Sequence, residues 1–160
     1  MFRTGIGYDA HRFAEGRKLI LGGVEIAHTL GLEGHSDADV LAHAIADALL
    51  GAVGESDIGH HFPNTDETIR GISSMEILSR VGLLLASKYA LIINVDATLI
   101  AEAPKIGPHI LEMRNRLSAA LQTTPSRVGL KATTNEGMGW IGRGEGMAAM
   151  AVATVEQTSF

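Results

Sequence analysis

The apolar positions of this chain change period along its length, and the changes mark out elements. Residues 2–13 read as one extended strand, and Lys18–Leu21 with Val24–Ile26 as a small hairpin around Gly22-Gly23. Leu41, Ile45 and Leu49 recur at helical spacing, which predicts a helix over about 39–52. The loop His35-Ser36-Asp37-Ala38-Asp39 before it offers several capping side chains. Ser73–Lys88 reads as a second helix, opened by Ser73 or Ser74 with Glu76 nearby. Leu91–Ala101 is rich in branched residues and predicts a strand. Pro108–Leu121 predicts a third helix, with Ile110, Met113, Leu117 and Leu121 along one side. Val128–Thr133 and Met147–Val155 supply the last strands. This alternation predicts an α/β (α+β) sandwich, a mixed β-sheet with helices on one face, plus the hairpin.

Composition narrows the class. At 160 residues the chain is expected to be one domain, 1–160, large enough to bury a core without disulfides. It has no cysteine, which excludes disulfides and thiolate metal sites. Apolar residues make up 46% of it, yet no run approaches a membrane span. The first strand starts almost at once, leaving no room for a targeting segment, so a cytoplasmic protein is expected. A net charge of -5 argues against general nucleic-acid binding.

The sharpest chemical signal is Asp9-Ala10-His11 on the first strand together with His43 on the first helix. Residues two apart on a strand face the same way, so Asp9 and His11 can grip one ion together. One carboxylate and two imidazoles leave the fourth position of a tetrahedral zinc open, as in a catalytic site. The plainer alternative is that Asp-x-His is a common fragment and His43 a core or surface histidine. Asp47 shares a face with His43 and is a candidate to orient its ring.

Other segments are polar but ambiguous. Lys131-Ala132-Thr133-Thr134-Asn135-Glu136-Gly137 suits phosphate and divalent-cation contacts, with Glu136 a hard oxygen ligand, or is an ordinary capped turn. Ala101-Glu102-Ala103-Pro104-Lys105-Ile106-Gly107-Pro108 could wrap a small ring through backbone groups or simply be a rigid connection. Gly142-Arg143-Gly144-Glu145-Gly146 is glycine-rich but matches no nucleotide fingerprint. His28, His60, His61 and His109 lack a partner pattern and read as structural or solvated.

Taken in order, these fragments resemble the 2-C-methyl-D-erythritol 2,4-cyclodiphosphate synthase family. The resemblance runs through Gly7-Tyr8-Asp9-Ala10-His11, His35-Ser36-Asp37-Ala38-Asp39-Val40 with His43, Asp57-Ile58-Gly59 and Phe62-Pro63-Asn64-Thr65-Asp66. It continues through Ala103-Pro104-Lys105, Lys131-Ala132-Thr133-Thr134 with Glu136, and Gly142–Gly146. It implies a metal-dependent cyclase in which a 2-phosphate attacks the β-phosphorus of a cytidine diphosphate ester and CMP leaves. It also implies a homotrimer with active sites between subunits.

By the same resemblance, zinc is held by Asp9, His11 and His43, and magnesium or manganese lies near Glu136. His35 and Thr134 are the implied donors to developing charge. Asp57 and Gly59 would meet the ribose, and the loop Ala101–Gly107 with Thr133 would enclose the cytosine. Ala10, Ser36, Ile58, Phe62–Asp66, Asn135, Trp140 and Arg143 complete the implied substrate contacts.

The chain departs from the family pattern in places. Asn64 stands where relatives often carry aspartate, and Ile106-Gly107 replaces a bulkier apolar pair. Two other readings use the same ligands: a zinc hydrolase releasing a linear product, and a non-catalytic trimeric binding module.

Overall fold

The computed structural model describes residues 1–158. Strands β1 (Phe2–Ala14), β2 (Leu19–Leu21), β3 (Val24–Ile26) and β4 (Gly31–Leu32) precede helix α1 (Val40–Ala52). Then come α2 (Ile58–His61), α3 (Ser74–Ser87), β5 (Ala90–Ile100), α4 (Ile110–Ala120), β6 (Val128–Thr133), α5 (Gly139–Gly142) and β7 (Gly146–Gln157). Short 3₁₀ turns cover Glu67–Ile69, Gly107–His109 and Pro125–Arg127. The main sheet is mixed, in the order β4-β1-β7-β5-β6, and only β5 and β6 run parallel. β2 and β3 form a separate hairpin.

Each predicted long element is present, its ends shifted by a residue or two. Asp39 caps α1 by accepting the N–H of Ala42, and Ser73 caps α3 through Met75. The third helix begins later than the sequence suggests. Pro108 sits in the 3₁₀ turn and the α-helix proper starts at Ile110.

One face of the sheet carries the core. α1 is buried along almost its whole length and lies across β1 and β7. It packs so closely because the strands beneath it are nearly bare. A Cβ on Gly7 would stand 1.9 Å from the carbonyl oxygen of Ala44, and one on Gly5 2.1 Å from that of Ala48. Opposite them, β7 contributes Ala149, Ala151 and Ala153. Helix backbone thus rests on strand backbone, and this seating sets the height of His43 above the sheet. α3 and α4 cover the β5–β6 side, closing over Val95, Ala97, Leu99 and Val128.

Among the described residues no helix covers the other face. Phe2, Ile6 and Tyr8 on β1, Leu91 on β5, and Met150 and Val152 on β7 are 43–67% exposed there. Six large apolar side chains on one sheet face form a patch of the kind that marks an association surface.

Candidate metal centre and the two pockets

Asp9 and His11 lie on the helix-covered face of β1, and His43 enters from the first turn of α1. His11 Nε2 lies 2.9 Å and His43 Nδ1 3.0 Å from the same oxygen of Asp9, and the two nitrogens are 3.3 Å apart. A tetrahedral ion with bonds of about 2.0–2.1 Å separates its ligands by roughly 3.3 Å, so this triangle fits a divalent metal. Ala10 projects to the opposite, uncovered face.

The remaining ring nitrogens are engaged. His11 Nδ1 donates to the carbonyl of Glu33 at 2.6 Å. His43 Nε2 lies 3.0 Å from Ser74 Oγ and 3.2 Å from Ser36 Oγ. Asp47, expected to orient His43, does not do so: its carboxylate accepts the N–H of Ile58 at 2.8 Å. The first N–H of α2 needs an acceptor, and Asp47 supplies it; two hydroxyls occupy the place at His43 instead.

Electrostatics favour a charged acceptor here. Burial pushes the Asp9 carboxyl up, but hydrogen bonds and charge from His11 and His43 outweigh it and hold it at about 2. For His11, burial opposes the charged form, yet Asp9 raises it above the ordinary 6.5. Asp47 is raised, mainly by burial. Asp39, wholly buried, is pushed up to about 6 by burial and by the charge of Asp37.

A pocket of about 210 Å³ opens over this triangle, lined among others by His35, Ser36, Ile58, Gly59, Phe62 and Asn64. Its shape is set by local anchors. Arg17 clamps the carbonyls of Gly34 and Ser36 at 2.9 and 2.7 Å. Asp57 caps α2, accepting from His60 at 3.0 Å. His35 Nε2 lies 3.3 Å from the carbonyl of Asp66, in the segment that also carries Pro63 and Thr65.

A second pocket, of about 410 Å³, lies at the ends of β5 and β6. Ala101, Glu102, Pro104, Lys105, Ile106 and Gly107 line it together with Thr133 and Thr134. The Ala103-Pro104 peptide is cis. Glu102 joins the two loops, accepting from the N–H of Asn135 at 2.9 Å and of Gly137 at 3.2 Å. Glu136 is exposed, with φ +52°. Trp140 lies on α5, and Arg143 just after it pairs with Glu145 at 2.8 Å.

The pockets share no residue. Asp9 and Thr133 stand on strands three places apart, roughly 14 Å at the usual strand spacing. The expected site residues that line a pocket therefore fall into two separate groups within one chain, while others, Glu136, Trp140 and Arg143 among them, line neither.

Sequence reasoning missed the hydroxyl behind His43. Ser74 is foreshadowed only as a possible cap. Because Ser73 takes that role, the Ser74 hydroxyl is left to turn inward. The four remaining histidines are peripheral: His28 lies against Phe13, His61 sits 3.4 Å from Glu55 and against the ring of His60, and His109 precedes α4.

Comparison with known proteins agrees with this geometry. The chain is 55% identical over 156 residues to the 2-C-methyl-D-erythritol 2,4-cyclodiphosphate synthase of Pelotomaculum thermopropionicum, covering 98% of this chain and 96% of that one. Its fold matches the bifunctional IspDF of Campylobacter jejuni with a TM-score of 0.94 at 39% identity, over 99% of this chain and 43% of that longer one. It matches IspF of Plasmodium falciparum, solved as a CDP complex, with a TM-score of 0.86 at 33% identity, covering 99% and 97% of the two chains. The resemblance first visible in the scattered motifs thus extends over the whole fold. The YgbB family pattern matches residues 2–156, and the chain belongs to the YgbB family.

Proposed function

We propose that this chain is a 2-C-methyl-D-erythritol 2,4-cyclodiphosphate synthase, a phosphorus–oxygen lyase working as one catalytic domain over residues 1–160. Its substrate would be 4-diphosphocytidyl-2-C-methyl-D-erythritol 2-phosphate, on the path to isoprenoid precursors. An oxygen of the 2-phosphate attacks the β-phosphorus, the bond to the CMP oxygen breaks, and the ring diphosphate and CMP separate. The observation that carries this reading is the Asp9–His11–His43 triangle beside His35 in one pocket, in a chain that matches such synthases over nearly its full length.

The nucleophile is already an anion, so no strong general base is required. The barrier is repulsion between phosphates and charge on the leaving group. Asp9, His11 and His43 would hold a zinc, and Glu136 a magnesium or manganese; when bound, such cations neutralise charge and align the reacting oxygens. In the free chain the Nε2–H of His35 is given to the Asp66 carbonyl at 3.3 Å, and it would have to be released to serve the substrate. His35 and Thr134 place hydrogen bonds on the developing charge, each worth roughly 3–4 kcal/mol of barrier. Ser36, Asp57, Ile58, Gly59 and the segment Phe62–Asp66 shape the sugar side, with Asp57 and Gly59 at the ribose. Ala101–Gly107 and Thr133 would enclose the cytosine through backbone groups; Asn135, Trp140 and Arg143 are carried over from the family resemblance alone.

We further propose a homotrimer with active sites between subunits. Two observations support it: the pockets stand apart within one chain, and the helix-free sheet face exposes six large apolar side chains. A cytidine diphosphate ligand is supported by the Plasmodium relative solved with CDP. A cytoplasmic location is consistent with the described residues, which contain no helix long and apolar enough to cross a membrane.

Phosphorus NMR of the products tests the proposal. Cyclisation gives a ring diphosphate and CMP, and turnover is lost on chelation. A linear product would establish the hydrolase instead, and no turnover the binding module.

A further inference from the structure

His43 can ligate a metal through Nδ1 only if its proton is held on Nε2. Nothing in the imidazole itself decides this. The groups behind the ring do. Ser74 is fully buried, and its hydroxyl donates to an oxygen of Asp37. A carboxylate only accepts, so the hydrogen of that hydroxyl is committed to Asp37. The lone pairs of Ser74 Oγ then face His43 Nε2 at 3.0 Å, and the bond can form only with Nε2 as donor. Ser36, 3.2 Å away, imposes no such direction. Its oxygen accepts the N–H of Ala38 at 3.0 Å and keeps its own hydrogen free to turn either way.

We propose that Asp37 and Ser74 are positioning residues that hold the proton of His43 on Nε2 when a metal takes the place of the Nδ1 proton facing Asp9, and so aim its Nδ1 at the point between Asp9 and His11. Asp37 is itself immobilised. Besides the Ser74 hydroxyl it accepts the backbone N–H of Ser74 at 2.9 Å and of Asp39 at 3.1 Å. The same carboxylate therefore anchors the start of α3 and the loop leading into α1. His11 reaches the opposite tautomer by simpler means, donating Nδ1–H to the Glu33 carbonyl and leaving Nε2 for the metal. The two imidazoles present different nitrogens to one point, each fixed by an acceptor behind it.

This rests on the metal reading of the triangle, and the experiment separates the two. Zinc affinity is measured by chelator competition for the full-length protein, for Ser74→Ala and for Asp37→Asn. Histidine-ring ¹⁵N spectra are recorded on the zinc-loaded wild type. Both variants are expected to bind zinc about 10–100-fold more weakly. The spectra should place the His43 proton on Nε2 and the His11 proton on Nδ1. Zinc affinity within twofold of wild type in either folded variant overturns the proposal, as does a His43 proton on Nδ1. The wild-type spectra and the near-isosteric Asp37→Asn keep the test decisive if Ser74→Ala does not fold. A wild type that binds no zinc refutes instead the metal reading itself.

Discussion

Replacing Gly7 by alanine should damage the metal centre without touching any ligand. The added Cβ would lie 1.9 Å from the Ala44 carbonyl oxygen and 2.8 Å from the Ala48 nitrogen. Both are backbone atoms of α1, so no side chain can swing aside. An ordinary carbon–oxygen contact needs about 3.2 Å, so helix and strand must separate locally by roughly 1.3 Å. Asp9 and His11 ride on the strand and His43 on the helix, whereas metal–ligand bonds tolerate only about 0.2 Å. Overpacking of this kind costs about 3 kcal/mol or more, the upper end of the usual range. In a chain this size that corresponds to a fall in melting temperature of about 6–12 °C. Gly51→Ala is the control on the same helix. Its Cβ meets nothing closer than 3.9 Å, and it should stabilise by about 0.5–1 kcal/mol with zinc content intact. Elemental analysis and thermal melts on both proteins decide the matter. A Gly7→Ala protein with full zinc and an unchanged melting temperature would refute the claim that backbone seating sets the ligand geometry.

Three more outcomes are expected. Glu136→Gln should lower turnover while zinc content stays full, with added magnesium or manganese restoring part of the rate; wild-type turnover at low magnesium would remove Glu136 from the reaction. Light scattering should report a trimer, and His11→Ala mixed with Thr133→Ala should regain activity after subunit exchange, since some interfaces then carry neither lesion; proven exchange without rescue would place the whole site in one chain. In the chelated protein the Asp9–His11 pair should contribute most stability between about pH 4 and 6.5. Asp9, lowered from 3.8 to about 2, contributes stability that is lost as pH falls through its folded value. His11, raised from 6.5, contributes stability that is lost as pH rises through its own. Denaturant melts across pH check this, and a metal-free protein that gains stability from pH 6.5 to 8.5 would contradict it.

Much of this was legible in the chain, for physical reasons that differ from residue to residue. Asp9 and His11 are read from strand alternation alone, because period two is fixed by the backbone. The hairpin follows from Gly22-Gly23, both of which adopt positive φ. Asp47 shows where such local logic fails. Helical spacing correctly brings it near His43, but a nearer donor, the N–H of Ile58, claims it. Ser74 reaches His43 across 31 residues, and a hydroxyl carries no periodic signature. The two-residue strand β4 and the four-residue helices α2 and α5 are too short to leave a pattern. The motifs include residues that line each pocket, and the resemblance already implied sites shared between subunits; the strand order β1-β7-β5-β6 is what holds the two groups apart within one chain.

That strand order also governs how the molecule can come into being. β1 finds its central partner in β7, so contacts such as Arg3 to Gln157 span 154 residues. On a ribosome adding about 5–20 residues per second, β1 waits roughly 8–30 s for that partner. During this time an edge bearing Phe2, Ile6 and Tyr8 stands unpaired. Asp9, His11 and His43 all emerge early, yet the floor beneath them is laid last. The nascent chain thus passes through a stage in which its metal-binding residues are made but not mounted, and its most adhesive strand is open to neighbours. Overproduction should expose that stage first, as inclusion bodies that diminish when synthesis is slowed or cooled.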